Sequence, residues 1–376
     1  MHNASDAGLL SLIDRRKSPL QPPSRNPAMR ALKRLGRSAI VSTSNVLPNL
    51  LRNSDIGVIF RLQRFPDPTL RYEAPQNVDA LREMLKYLRR QRFDLVSLAT
   101  LIERANAGQP LRGAIAFTID DGYRDHATIG ARVFAEFDCP VTTFITTGFV
   151  DRKLWLWWDK IEYVFHHTTR RSLSVAIGED NPALRLTWNS ARDRAAAQYT
   201  VTEACKRVSE TGKNVAILAL ANTAEVELPL QAPEIYSPMS WAEARQCEQI
   251  GMAFGPHTVT HPILANTSDE QSAFEIEESW RRLSAEVKQP VPVFCYPDGQ
   301  PTHFGEREVS TIARVGLRGA VVGSVGYARG KTIRGELSRF RIRRFAMPGD
   351  LDGFADLIQY VTGIERIKES VRGARA

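Results

Sequence analysis

No stretch of this sequence approaches the roughly 20 consecutive apolar residues needed to cross a bilayer, which argues against an integral membrane protein. Charges at Asp14, Arg15, Arg16 and Lys17 interrupt the N-terminus before an apolar core can lengthen, so no secretory signal peptide is expected. Cysteine is scarce and scattered. Cys139, Cys205, Cys247 and Cys295 form no CxxC pair, a pattern that fits buried free thiols in a reducing, cytoplasmic compartment better than a disulfide framework. Acids are scarce at one end only: residues 1–52 hold nine Lys/Arg against Asp6 and Asp14, which leaves 41 basic and 40 acidic residues for the rest. The net charge of +8 therefore belongs to a tail, and the near-neutral body carries no nucleic-acid-binding motif; no nucleic-acid partner is expected.

Apolar residues at 43% and charged residues at 24% are the balance of a soluble globular chain with a sizeable core. Residues 1–55 read as a basic, largely flexible tail. Within it residues 29–40 set Met29, Leu32 and Leu35 apart from Arg30, Lys33, Arg34 and Arg37, either a short helix for an anionic membrane surface or a solvated docking turn. From residue 56 to 350, apolar strands alternate with helical patterns. Strands are expected at 57–60, from 95, and at 114–119, 141–146, 293–296, 319–322 and 341–345, with helices at 77–92, 99–107 and one ending at 133–137. This rhythm predicts an α/β fold with a parallel sheet rolled into a barrel. It fails between about 155 and 235, read as a mostly helical insertion, and residues 351–376 read as a helical tail.

Two short segments carry the chemistry. Asp120-Asp121-Gly122-Tyr123 ends an apolar strand, and His257-Thr258-Val259-Thr260-His261 sets two imidazoles four residues apart. One carboxylate and two histidines make a facial ligand set for a divalent metal with open positions. The other carboxylate is then available as a general base toward an activated water. Taken singly, Asp-Asp-Gly is also an ordinary turn, and two histidines at i and i+4 can simply share a face.

Four blocks in order, "FTIDDGYRDH" (117–126), "PVTTFITTGFVD" (140–151), "MSWAEARQCEQIGMAFGPHTVTHPIL" (239–264) and "FCYPDGQ" (294–300), resemble the polysaccharide deacetylases, carbohydrate esterases that remove N-acetyl groups from aminosugar chains. The resemblance implies a distorted (β/α)7-type barrel. It also implies a metal held by Asp121, His257 and His261, Asp120 as base, and the backbone N–H of Tyr123 as an oxyanion donor. Zinc suits an Asp/His/His set, with cobalt, nickel and manganese as alternatives. The implied substrate is an acetylated aminosugar glycan or a lipid-linked precursor.

Tyr296, Pro297 and Asp298 match the block that lines the family's groove, although Pro-Asp-Gly is equally a turn. Trp155, Trp157 and Trp158 are either a sugar-stacking wall or core anchors, and Asp159 beside them could position a catalytic group. Arg339, Arg341, Arg343 and Arg344 either hold an anion or face solvent.

The leaving amine needs a proton, which the family takes from a histidine. No late Leu-x-His segment follows His303, and where a subgroup has Leu-His-Arg-Phe in its first strand this chain reads "VIFRLQRF" (58–65), with Gln63 in the histidine's place. Glutamine cannot donate that proton. His126 and His303 are the substitutes, each with a structural role as its alternative. The functional reading therefore forks between a working deacetylase and a deacetylase-like protein that binds saccharide or a partner enzyme without turnover.

Overall fold

The computed structural model describes residues 55–67, 70, 76–178, 181–354 and 357–358. The basic segment 29–40 and residues 359–376 lie outside them. The described residues form two compact units: 156–230, and the remainder.

The strands in chain order are β1 (Ile56–Leu62), β2 (Ile115–Asp121), β3 (Val141–Ile145), β4 (Ser172–Val175), β5 (Leu184–Thr187), β6 (Met252–Pro256), β7 (Val293–Cys295), β8 (Gly319–Val325), β9 (Ala328–Arg329) and β10 (Ile342–Ala346). In the larger unit seven strands pair in parallel in the order β6-β3-β2-β1-β10-β8-β7, and β9 adds antiparallel to β1. The two ends of the sheet almost meet. Phe254 of β6 bridges Pro290, and the Val291 N–H donates to the Phe254 carbonyl at 2.7 Å, just before β7. The result is a nearly closed parallel barrel with flanking helices, the fold class expected.

A parallel barrel buries both faces of its strands, so they read as nearly continuous apolar runs rather than alternating ones. Ile59, Ala116, Phe144, Val293, Val321 and Ile342 fill the interior. Phe60, Leu62, Phe117, Ile119, Val141 and Ile145 face outward against helical residues such as Leu81, Leu85 and Phe134. The first of these helices, Val78–Arg90, starts where the Asn77 side chain accepts from the Ala80 N–H, and buries Leu81, Met84, Leu85 and Leu88 at helical spacing.

Three local expectations change. Leu95 makes only an isolated bridge to Ile115, and no strand continues, because Ser97 caps the helix Leu98–Asn106 by accepting from the Thr100 N–H. Strand β6 escapes a hydropathy reading because Gly255 and Pro256 resemble turn residues. Gly255 is there for space, since a Cβ would meet the Phe144 ring at 2.7 Å. The smaller unit holds the helices Trp157–His167, Ala191–Cys205 and Glu210–Thr223, and also an antiparallel hairpin of β4 and β5. Its core gathers Ile161, Phe165, Leu173, Leu186, Val201 and Leu220. All four cysteines are buried and free.

Candidate metal and catalytic site

Strand β2 delivers Asp120 and Asp121 to the C-terminal end of the barrel, where active residues of such folds collect. The turn that follows is strained: Asp121 has φ +93° and Gly122 φ +97°. It is pinned by the Thr146 N–H donating to the Asp121 carbonyl (3.1 Å) and the Met239 N–H donating to the Gly122 carbonyl (3.0 Å). A side chain at position 122 would press on Val150 at 3.2 Å, so glycine serves both the angle and the space. Tyr123 follows in this turn, its ring buried beneath the Arg64 guanidinium at 3.9 Å.

The histidine pair does not lie on a helix. His257 follows β6, and Thr258 (φ +67°) and His261 (φ +61°) take left-handed conformations in a tight loop. The buried Glu275 carboxylate shapes that loop, accepting from the N–H groups of Val259 (2.7 Å) and Thr260 (2.8 Å) and from the Thr260 hydroxyl (2.6 Å). Thr258 Oγ1 accepts from the His261 N–H at 3.0 Å. Both rings then turn toward β2.

Asp121 Oδ1 lies 3.5 Å from the Nε2 atoms of both His257 and His261, which are 3.2 Å from each other. Three donors about 2.1 Å from one ion at tetrahedral angles would stand about 3.4 Å apart, so this set fits a divalent metal. Two further features agree. The His257 Nδ1–H donates to the Cys295 carbonyl at 2.7 Å, which leaves Nε2 as the ligand atom. Burial pushes the Asp121 carboxyl above its ordinary value despite the hydrogen bond from His257, the mark of a carboxylate that a cation would stabilise.

Asp120 is held differently. Arg344 of β10, 2% exposed, donates to both its oxygens (2.7 and 2.9 Å) and to Thr118 Oγ1 (3.0 Å), and reaches Cys295 Sγ at 3.2 Å. Burial alone would raise the Asp120 carboxyl, but the charge and hydrogen bonds of Arg344 overcome it and hold the group at about 2. Asp120, His257 and Cys295 also gather closely enough to suggest a second metal set. The guanidinium already satisfies Asp120 there, so the trio of Asp121, His257 and His261 is the one suited to an ion.

For Arg344 neither alternative read from the sequence holds: it faces neither solvent nor an external anion. Its phase follows Ile342, two residues earlier and also inward. Arg341 pairs with Glu306 at the surface, Arg339 lies over the Phe340 ring and Arg343 is exposed. Glu275 is not singled out by the sequence motifs, although it occupies the buried stripe Ser272, Glu275, Ile276, Ser279 and Leu283 of the helix Asp269–Glu286. A carboxylate on such a stripe signals a fixed polar partner.

Other expected residues are distributed as follows. Tyr296 is 1% exposed and stacks on Phe304 (3.8 Å between centroids), so its ring is committed to packing. Pro297 is buried, while Asp298 is partly exposed at φ +56°, with its Oδ2 3.1 Å from His303 Nδ1. Trp157 belongs to the core of the smaller unit, with the buried Lys213 over its ring at 4.6 Å; Trp158 packs on the same core, and Asp159 is buried in the first turn of the helix there. Trp155, in the larger unit, is buried against Tyr236. Gln63 is exposed after β1. His126 is fully enclosed between Phe65 and Tyr123, and burial, aided by the Arg64 charge, lowers its pKa to about 3. It stays neutral near pH 7 and has no proton to give.

Residues 107–319 match the family model described as polysaccharide deacetylase. The chain belongs to that family. The fold is similar to that of the deacetylase PplD of Streptococcus pyogenes, at 14% identity and a TM-score of 0.50, covering 80% of this chain and 95% of that one. IcaB of Ammonifex degensii gives 13% identity and a TM-score of 0.48 over 81% and 98% of the two chains. The BpsB deacetylase domain of Bordetella bronchiseptica gives 13% and 0.45 over 78% and 96%. No curated protein sequence matches the chain. Family membership and the clustered donors together make the protein a metal-dependent hydrolase of the deacetylase type rather than an inactive relative. Among the described residues no helix is long and apolar enough to cross a membrane.

Proposed function

We propose that the protein removes N-acetyl groups from an aminosugar-containing oligosaccharide, polysaccharide or lipid-linked glycan precursor. The observation that carries this reading is the convergence of Asp121, His257 and His261 beside an aspartate that Arg344 keeps ionised. Those three residues would hold a divalent ion, zinc by donor type. Such an ion would supply Lewis-acid polarisation of the acetamide carbonyl and would lower the pKa of water. Asp120 orients that water and accepts its proton, while Arg344 fixes the direction of the carboxylate. Because the Asp120 carboxyl sits at about 2, it is a weak base, and its contribution rests on position more than on basicity. The Tyr123 N–H serves the oxyanion. Among the described histidines of the larger unit, His257 and His261 serve the metal and His126 is sealed. His303, partly exposed and with Nδ1 3.1 Å from Asp298 Oδ2, is left to protonate the departing amine. Asp298 lines the groove.

The protein acts in the cytoplasm in this reading, with residues 29–40 resting on anionic membrane near a lipid-linked substrate. Deleting residues 1–45 then abolishes membrane association. The direct test is acetate release by the zinc- or cobalt-loaded chain from acetylated aminosugar oligomers and lipid-linked acetylaminosugars. We expect release, abolished by Asp120→Asn. Stoichiometric zinc with no acetate from any substrate, and no rescue by Gln63→His, would leave only the binding function.

A further inference from the structure

Among the described residues, a cation at the mouth of the barrel makes no hydrogen bond, ion pair or ring contact of its own. Ile59 of β1 points into the barrel with Ala116, Phe144, Val293, Val321 and Ile342. Successive side chains of a strand alternate, so Arg61, two residues further, turns to the same interior one layer nearer the C-terminal ends. That layer also holds Asp120, Cys295 and Arg344, and register pairs Arg61 with Thr118 and Ala346. Arg61 is partly exposed, as expected at the mouth of the site. Its positive charge reaches both Asp120 and Asp121 as a lesser influence on each. Yet among the described residues its guanidinium has no hydrogen-bond, ion-pair or ring partner.

Among the described residues the acids of the site are engaged elsewhere. Asp120 is matched by Arg344, and Asp121 belongs to the histidine set. Asp125 is bound to Arg64 at 2.5 Å, Asp298 stands against His303, and Glu275 accepts from the histidine loop. Gln63, next on the same side of the chain, is neutral. The Arg61 guanidinium, open to solvent at the mouth of the site, therefore keeps its five N–H donors available to a ligand. Its planar fork matches a carboxylate or a phosphate in two parallel hydrogen bonds.

We infer that Arg61 is a specificity residue that binds an anionic group of the substrate, a carboxylate or phosphate on the acetylated sugar or its immediate neighbour. This deepens the deacetylase reading and rests on it for the identity of the site. The proposed substrate is accordingly an acidic aminosugar glycan rather than a neutral homopolymer of acetylaminosugar. The anion binds beside the reacting acetamide and takes no part in bond breaking.

The test uses the full-length chain with its metal chelated to prevent turnover, titrated calorimetrically at low ionic strength. The probes are chitotetraose, a tetrasaccharide alternating glucuronate with N-acetylglucosamine, and N-acetylglucosamine 1-phosphate compared with N-acetylglucosamine. We expect at least one anionic probe to bind about tenfold tighter than its neutral counterpart, with the preference shrinking as salt is raised. Arg61→Gln should abolish that preference while leaving neutral affinity and melting temperature within about twofold and a degree or two of wild type, and Arg61→Lys should keep part of it. Preference for the glucuronate probe alone assigns a carboxylate; preference for the phosphate alone assigns a phosphate. Equal affinity for charged and neutral probes in the wild type overturns the inference. So does an equal loss for both in Arg61→Gln, which would mean that the arginine holds a neutral oxygen or supports the fold. Arg61-dependent anion binding without acetate release from the zinc-loaded chain would instead overturn the hydrolytic reading alone.

Discussion

Replacing Arg344 by methionine leaves Asp120, 3% exposed, without its only cationic hydrogen-bond partner among the described residues. The arginine holds that carboxyl at about 2 against an ordinary 3.8, a depression of roughly 2 kcal/mol in favour of the charged form. That figure already includes the opposing cost of burial, and Arg344 contributes more to it than the lesser charges of His257 and Arg61. Breaking a buried pair by removing one partner usually costs about 3–5 kcal/mol, and we expect Arg344→Met to fall in that range at pH 7. Asp120→Asn alone should also destabilise, because it leaves the guanidinium buried without a counter-charge. The double variant should cost much less than the sum of the two, since neither residual charge remains. Urea denaturation of the full-length chain in a double-mutant cycle measures this directly. Activity should fall about 10²–10⁴-fold in Arg344→Met as the base loses its orientation. Additive effects, or a loss below about 1 kcal/mol for Arg344→Met, would refute the reasoning, because the pair would then not be sharing one desolvated site.

Two further outcomes follow from the histidines. His126 is neutral in the fold with a pKa near 3, but titrates near 6.5 once unfolded, so stability is full above pH 6.5 and is lost as pH falls toward 3. The wild type should lose roughly 2 kcal/mol from this source between pH 7 and 5, a slope that His126→Leu removes in denaturation measured across that range; parallel slopes would show that the imidazole is not sealed. His303→Gln should lower kcat about 10²–10⁴-fold with little change in KM, read from steady-state acetate release. An unchanged kcat would assign amine protonation to another donor.

Much of the barrel was legible because parallel strands with both faces buried are written as apolar runs, and "AIAFTI" before Asp120 is one of them. Strand β6 was not, because it carries turn-like residues and its Gly255 serves a close approach to Phe144 that only the assembled barrel creates. Asp121, His257 and His261 were legible as a ligand set, although the histidines converge through left-handed loop residues instead of a shared helix face. Arg344 was harder. Its strand spacing was visible, but whether it pointed inward depended on the phase of Ile342, and its partner lies 224 residues away in the chain. Tyr296 reads as a groove residue by its block, yet alternation along the strand sends its ring outward onto Phe304.

The bond from His257 Nδ1 to the Cys295 carbonyl crosses from the end of β6 to the end of β7, a seam where no continuous ladder runs among the described residues. His257 therefore acts as a latch as well as a ligand. Removing its imidazole takes away one of the ties between the two edge strands along with a donor of the metal set, so an inactive His257→Ala protein confounds a loosened seam with a missing donor. His261 sits on a loop anchored independently by Glu275 and Thr258. Of the two histidines, His261 is the one whose loss isolates the metal chemistry.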